Sequence, residues 1–347
     1  MDLSLFYFAD DSAADGDRYR LLLEGAKFAD ASGFTAVWTP ERHFHPFGGL
    51  YPNPSVTSAA IAAVTEQVKI RAGSVVAPLH HPLRIAEEWS VVDNISRGRV
   101  GISFASGWHA SDFALKPENY ADRREVLGEY LRTVRRLWRG EAVRVTNGMG
   151  EPQEVRIFPP PVQPELPVWM TSAGSVETFR LAGTLGAGVL THLLDQDLSA
   201  LAMKITEYRK ALAARPGAQG EPGHVVLMVH SYLDETDAAA HELVRRPLSD
   251  YLRSSLGLLV GSQEDGRRKV DLSKLSEEDV DFMVDQAFER FFDTGLLGAA
   301  PKAAAAIDRF REAGVDEVAC LIDFGLPADT VLSGLVRLNQ LREAVSR

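Results

Sequence analysis

Cysteine is almost missing from this chain. Its 347 residues include one, Cys320 in the apolar run 317–324, so an internal disulfide is impossible and the composition suits a reducing cytoplasm. Cys320 itself reads as core packing. Long apolar runs are missing too. None approaches the roughly 20 residues that a membrane span needs, and the opening MDLSLFYFADD has no basic stretch ahead of an apolar one. A soluble, unexported chain with no membrane partner is expected. Positive charge is in deficit, with 37 Lys and Arg against 48 Asp and Glu, a net charge of -11 and a pI near 5.4. That balance argues against a nucleic-acid partner, whose phosphates need a basic face, but not against a small anion in a local pocket. An internal repeat and a nicotinamide-binding glycine fingerprint are also missing.

Apolar material is plentiful: 45% of residues are hydrophobic and 24% charged, enough for a sizeable core. The length admits one large barrel or two ordinary domains, and no boundary divides the chain, so residues 1–347 are expected to form one unit. Compact β-rich segments fall at 3–8, 34–39, 68–77, 100–105, 168–171, 188–194, 225–232 and 317–322. Between and after them, helical spacing runs over 19–31, 55–65, 85–95, 123–139, 175–185, 198–214, 238–259, 279–292, 301–313 and 328–347. Asn147-Gly148 marks a hairpin within 142–157. The polar stretch 261–276 has no period and reads as a mobile lid loop, with the lid insertion reaching about residue 285. Eight strands alternating with helices imply parallel pairing. A closed (β/α)8 TIM barrel is the expected fold, with a doubly wound sheet as the alternative.

In such a barrel the chemistry gathers at strand C-terminal ends. After the second strand come Glu41, Arg42, His43 and His45 beside Phe44 and Phe47. Two imidazoles, a guanidinium and a carboxylate this close need partners, so a cleft is expected there rather than a core. Gly73-Ser74 interrupts the third strand with small residues that let something flat approach. Ala105, Ser106, Gly107, Trp108 and His109 follow the fourth, with Trp108 suited to stacking on an aromatic ligand. Ser172, Gly174, Ser175 and Thr178 make a small-residue turn into a helix that suits phosphate, although Ser175 reads equally as a simple helix cap. His192 follows the sixth strand. The pair His80-His81 is not expected to hold a metal, because neighbours cannot both reach one ion without strain. Arg132, Arg135, Arg136 and Arg139 read as a solvated helix face, and Glu87 and Glu88 as acids favoured near a helix start.

Three stretches together resemble the bacterial luciferase-like family of flavin-dependent monooxygenases: GFTAVWTPERHF with NPS at 53–55, the run 80–113 from HHPLRIAEEW to SGWHASDF, and 167–194 from PVWMTSAGSVETF to LTHLL. The run 96–109 from SRGR to SGWH, together with ERHF at 41–44 and GSVVAPLHHP at 73–82, looks most like the branch found with natural-product gene clusters. The resemblance implies a TIM barrel and reduced FMN, whose reaction with oxygen gives a hydroperoxide that attacks substrate. It puts Gly73-Ser74 at a non-proline cis peptide beneath the flavin ring, and Ala105, Ser106 and Gly107 along the ring. Ser172, Gly174, Ser175 and Thr178 fall in the phosphate turn, and His192 takes the place of an aromatic residue near the flavin. Arg42 stands where the luciferases carry a catalytic histidine, so the catalytic assignment becomes Arg42, His43 and His109. Ser106 stands where a luciferase arginine meets phosphate.

The implied activity is oxygenation of a small organic substrate, free or carrier-protein-tethered, in secondary metabolism, with reduced FMN from a separate reductase. A homodimer built on 55–65 and 85–95 is expected with it. Alternatives are a deazaflavin-dependent hydride-transfer enzyme and a non-catalytic flavin-binding subunit.

Overall fold

The computed structural model describes residues 1–9, 16–172, 174–194, 196–218, 220, 222–261 and 276–345. In chain order, β1 (Asp2–Phe6), α1 (Arg20–Ser32), β2 (Ala36–Thr39), α2 (Pro54–Val64), β3 (Lys69–Val76), α3 (Pro82–Ser96) and β4 (Val100–Ala105) form the first half. Next come α4 (Arg123–Trp138) and a hairpin of β5 (Val143–Thr146) and β6 (Pro152–Val155). Then follow β7 (Val168–Ser172), α5 (Val176–Thr184), β8 (Gly188–His192), α6 (Leu198–Ala213), β9 (Val225–Asp234), α7 (Asp237–Gly261), α8 (Glu277–Thr294), β10 (Leu296–Ala299), α9 (Ala300–Glu312), β11 (Glu317–Leu321) and α10 (Ala328–Val345). Eight parallel strands close in the order β1, β2, β3, β4, β7, β8, β9, β11 and back to β1. This is the (β/α)8 barrel. Among the described residues no helix is long and apolar enough to cross a membrane.

Local chemistry explains where the elements start and stop. α2 opens on Asn53, whose side chain accepts from the Ser55 and Val56 amides, with Pro54 in the first turn. α1 ends at Gly33 in the left-handed region (φ 76°), and the Phe34 amide folds back to the Ala29 carbonyl at 3.0 Å. Phe34 is therefore part of a helix cap rather than the start of β2. Phe8 leaves β1 because its amide donates to the Asp323 carboxylate at 2.6 Å. Asn147 does not sit in a two-residue turn. It accepts from the Met149 and Glu151 amides and organises a longer loop, 147–151. The short β10 has no counterpart in the sequence reading, and it pairs with the outer half of β9. Arg135 departs from the solvated face expected of it. It caps the carbonyls of Leu185 and, at 2.9 Å, Gly186, and burial lowers its pKa to about 10. Within the proposed lid, 262–275 lie outside the described residues, whereas the part from Glu277 onward is the start of α8.

The barrel floor is organised by one carboxylate. Glu317, fully buried at the start of β11, accepts from Ser4 at 2.6 Å, from the Trp38 indole at 3.0 Å and from Arg71 at 2.7 Å. Arg71 is sandwiched 4.9 Å from the Trp38 ring centroid and 4.5 Å from that of Trp169. Trp169 fills the space that Gly101 and Gly188 leave open, since a Cβ on either would stand 2.8 or 2.3 Å from its ring. The Trp169 indole also donates to His224 Nδ1 at 2.9 Å, which puts the proton of a neutral His224 on Nε2, facing Glu317 at 3.6 Å. Asp2, His224 and Glu317 stand close enough to share an ion, but this tautomer offers them an N–H rather than a lone pair.

Removing one partner of a buried ion pair strands the other. Glu317→Ala is expected to destabilise the fold by about 3–5 kcal/mol. The double variant Arg71→Met with Glu317→Met should cost less than that single change, as measured by urea unfolding.

Candidate active site

The loop after β2 does not form one cluster, as its spacing suggested, but divides into two groups. Glu41, 6% exposed, is the hub of the first. One of its oxygens accepts from the Val76 amide at 2.6 Å, and the other meets His43 Nε2 at 2.9 Å and His80 Nε2 at 2.5 Å. Burial works against its charge, but these donors outweigh it and hold its pKa below the usual carboxylate range. His80 is raised despite its own burial, by the hydrogen bond to Glu41 and its charge. An ionised Glu41 takes Nε2–H from both rings, so a neutral His43 keeps its lone pair on Nδ1. His81 turns away and caps α3 through the Leu83 amide, so the adjacent histidines part company. Glu88 accepts from Ser55 at 2.9 Å, a tie between α3 and α2.

The second group is centred on Arg42. Only 2% exposed, it sends Nη1 to Asp112 Oδ2 at 2.5 Å, and its guanidinium carbon lies 5.3 Å from the Trp108 ring centroid. Burial lowers the pKa of Arg42 and raises that of Asp112. His109 packs edge-on against Trp108, and its pKa is lowered by burial and by the charge of Arg42. Asp112, in the 3-10 turn Ala110–Leu115 after β4, was missed in the sequence. Its signal was a carboxylate just beyond SGWHA, with nothing to show that its partner lies 70 positions earlier. His45 joins neither group directly and instead accepts from the Phe47 amide at 3.0 Å.

The remaining expected positions lie within or just after strands. The Gly73–Ser74 peptide is cis, and a Cβ on Gly73 would stand 2.6 Å from the Phe6 ring. Ser74 shares a hydrogen bond with Thr171, which also meets Ser103 at 2.7 Å. Ala105 ends β4, Ser106 and Gly107 follow it, and Gly107 (φ 78°) could not carry a Cβ without meeting Phe113 and Val76. Ser172 and Gly174 precede α5, and Ser175 is its N-cap, accepting from the Thr178 amide at 3.4 Å while donating to Glu177. The capping reading of Ser175 therefore holds. Lys204 on α6 was not singled out. A Cβ on Gly174 would lie 3.4 Å from its Nζ, and it donates to Gln196 at 2.8 Å. Gln196 in turn ties down Thr191 and the His192 carbonyl.

Beside His192 a cavity is lined by Met228, His230, Phe291 and Thr294. His230 is buried among Tyr251, Phe291 and Phe324, and burial pushes its pKa to about 3, so it is neutral. Asp323 accepts from the Phe8 amide and the Tyr51 hydroxyl, at 2.6 and 3.1 Å.

A closed parallel barrel whose mouth gathers buried, paired charges and a neutral histidine defines the class of enzymes that work at the strand C-terminal face. The family described as luciferase-like monooxygenase matches residues 1–317, and the chain belongs to that family of flavin-dependent monooxygenases. It is similar to the oxygenase component of the flavin-dependent trigonelline monooxygenase of Acinetobacter baylyi, at 24% identity over 100% of this chain and 96% of the relative. Among solved structures it superposes on monooxygenase RslO1 of Streptomyces bottropensis with a TM-score of 0.82 and 22% identity, covering 100% of both chains. The oxygenating constituent of the 3,6-diketocamphane monooxygenase of Pseudomonas putida, solved with FMN, gives 0.72 at 18% identity, covering 100% of this chain and 97% of that one.

Burial raises the Asp323 pKa to about 7, well above its unfolded value, so the folded state holds this proton longer than the unfolded chain. Its stabilising contribution is complete below about pH 4 and is lost as pH rises through about 7. Asp323→Asn removes that titration. The Tm difference between wild type and Asp323→Asn should therefore move against wild type from pH 4 to pH 8.

Proposed function

We propose that this protein is the oxygenase component of a two-component system that takes reduced FMN from a separate reductase and oxygenates a small organic substrate in secondary metabolism. The reading is supported above all by the family match together with the buried pairing of Arg42 with Asp112 at the mouth. The residues present fit the cofactor. Gly174, with φ 154° that disfavours a side chain, and the first turn of α5 offer a cradle with Lys204 at its edge. In this assignment Ser172, Gly174, Ser175 and Thr178 hold the phosphate, and Lys204 supplies the cation that Ser106 does not. Gly73, Ser74, Ala105, Ser106, Gly107 and His192 would border the ring.

Reduced FMN, when bound, supplies the electrons that activate dioxygen. The chain positions substrate and moves protons. His43, anchored to Glu41 through Nε2, exchanges a proton at Nδ1, and His109, kept neutral by burial, is a second acceptor. Arg42 steadies negative charge with donors whose direction Asp112 fixes. His43 and Arg42 are next to each other in sequence but held by different carboxylates, so proton handling and charge stabilisation are separately fixed. Residues 1–347 act as one unit in this reading. A homodimer across α2 and α3 accounts for the exposure of Val56, Val64, Val91 and Ile95.

Two measurements test the assignment. With reduced FMN, oxygen and a substrate found by mass-spectrometric screening, His43→Ala and Arg42→Ala should each lower product formation by about 100-fold or more. The flux would go to hydrogen peroxide, while FMN still binds. Product formation unchanged in both variants overturns these roles. Lys204→Ala should weaken FMN by about tenfold but leave riboflavin, which lacks the phosphate, unaffected in fluorescence titrations. Equal losses for both flavins would remove Lys204 from the phosphate site.

A further inference from the structure

The mouth contains a set of buried polar atoms that the internal pairing leaves over. Arg42 uses Nη1 on Asp112 Oδ2, and its Nε and Nη2 have no hydrogen-bond partner. Asp112 Oδ1 and His109 Nδ1 are likewise without one. Arg42 is 2% exposed and Asp112 5% exposed, so bulk water does not reach these atoms, and leaving them unmatched is costly. The four atoms belong to three side chains that act on one another electrostatically. Their polarity is mixed: two parallel donors on one edge of a planar guanidinium, a carboxylate oxygen, and an imidazole nitrogen that accepts when the His109 proton is on Nε2.

We infer that this mouth takes the head group of a free α-amino acid, with its carboxylate on the Nε/Nη2 edge of Arg42 and its ammonium on Asp112 Oδ1 and His109 Nδ1. The inference rests on the reading of this mouth as the substrate pocket and narrows it to a substrate class. A guanidinium edge matches the two oxygens of a carboxylate. A carboxylate alone would satisfy that edge, add an uncompensated negative charge to a buried site, and leave both acceptors without a donor. An amine alone would leave the Arg42 edge open. A zwitterion brings no net charge into a site whose own charges already cancel. An aminoacyl group tethered to a carrier protein through a thioester has no free carboxylate, so the arrangement favours a free substrate over a tethered one. Trp108 lies over the guanidinium and is 38% exposed, on a segment that turns at Gly107 with φ 78°. The indole therefore stands next to the proposed head-group site.

Calorimetry on the full-length, FMN-loaded protein tests this. The twenty proteinogenic L-amino acids are titrated first. The best ligand is then compared with its des-amino acid, its decarboxylated amine and its N-acetylcysteamine thioester. The amino acid should bind about tenfold or more tightly than each of the three, the effect of losing one charged hydrogen-bonding group. Arg42→Lys should lose a similar factor for the amino acid with FMN affinity unchanged, and Asp112→Asn should lose the preference over the des-amino acid. No binding across the panel, or a des-amino acid or thioester bound as well as the amino acid, overturns the inference. FMN affinity and reductase-dependent oxygen consumption are measured on the same preparation. If they persist while the amino-acid preference is absent, only this inference falls; if FMN fails to bind, the enzymatic reading falls with it.

Discussion

Glu317 is a fully buried carboxylate inside a ring of parallel strands, and it takes donors from three of them. Ser4 reaches it from β1, Trp38 from β2 and Arg71 from β3, while β11 supplies Glu317 itself. An unpaired charge in this position would be prohibitive, so the four strands are constrained to the one register that brings all the donors to it. The aromatic rings on either side of Arg71 complete the constraint by filling the space that two glycines leave. Polar order at the floor thus specifies the barrel, and hydrophobic packing around it provides most of the favourable energy.

The mouth repeats the device for a different end. Glu41 is another buried carboxylate, but two of its partners are imidazoles, which can give or take a proton where an indole or a guanidinium cannot. Arg42 and Asp112 form a second pair whose hydrogen-bonding capacity is only partly used. A floor that is nearly saturated and a mouth that is not are the expected arrangement for a barrel enzyme. The rigid end fixes strand geometry, so that the other end can hold unsatisfied groups in place until a ligand arrives.

Much of this was legible because barrel strands are short apolar runs between helices. Residues 100–105 form β4 as the sequence indicated, and most other strand limits differ by two residues or fewer. The residues that failed to show themselves did so for two reasons. Partners such as Asp112 for Arg42 or Glu317 for Arg71 lie 70 and 246 positions away, and nothing local marks the pairing. Other groups appeared with the wrong company. Glu41, Arg42, His43 and His45 look like one cluster in sequence, whereas the chain directs Glu41 and His43 toward His80, Arg42 toward Asp112, and His45 back onto its own loop. Lys204 was invisible for a related reason: its neighbour, Gly174, belongs to a different helix's entry turn.

The exchange of a histidine for arginine at position 42, implied by the resemblance to the luciferases, acquires a physical sense from these pairings. An arginine keeps its charge at any working pH and so cannot carry protons. In the assignment proposed above, proton transfer then passes to the neighbouring imidazoles of His43 and His109. His43 is oriented by Glu41, and His109 is kept neutral by burial and by Arg42 itself. The same arginine lowers the cost of bringing an anionic group into the mouth. Asp112 prevents that gain from becoming indiscriminate, because it repels any anion that does not also bring a donor. On the proposed reading, a fixed charge paired on one side, with imidazoles beside it, turns a proton-transfer position into a recognition position and leaves the means of moving protons in place.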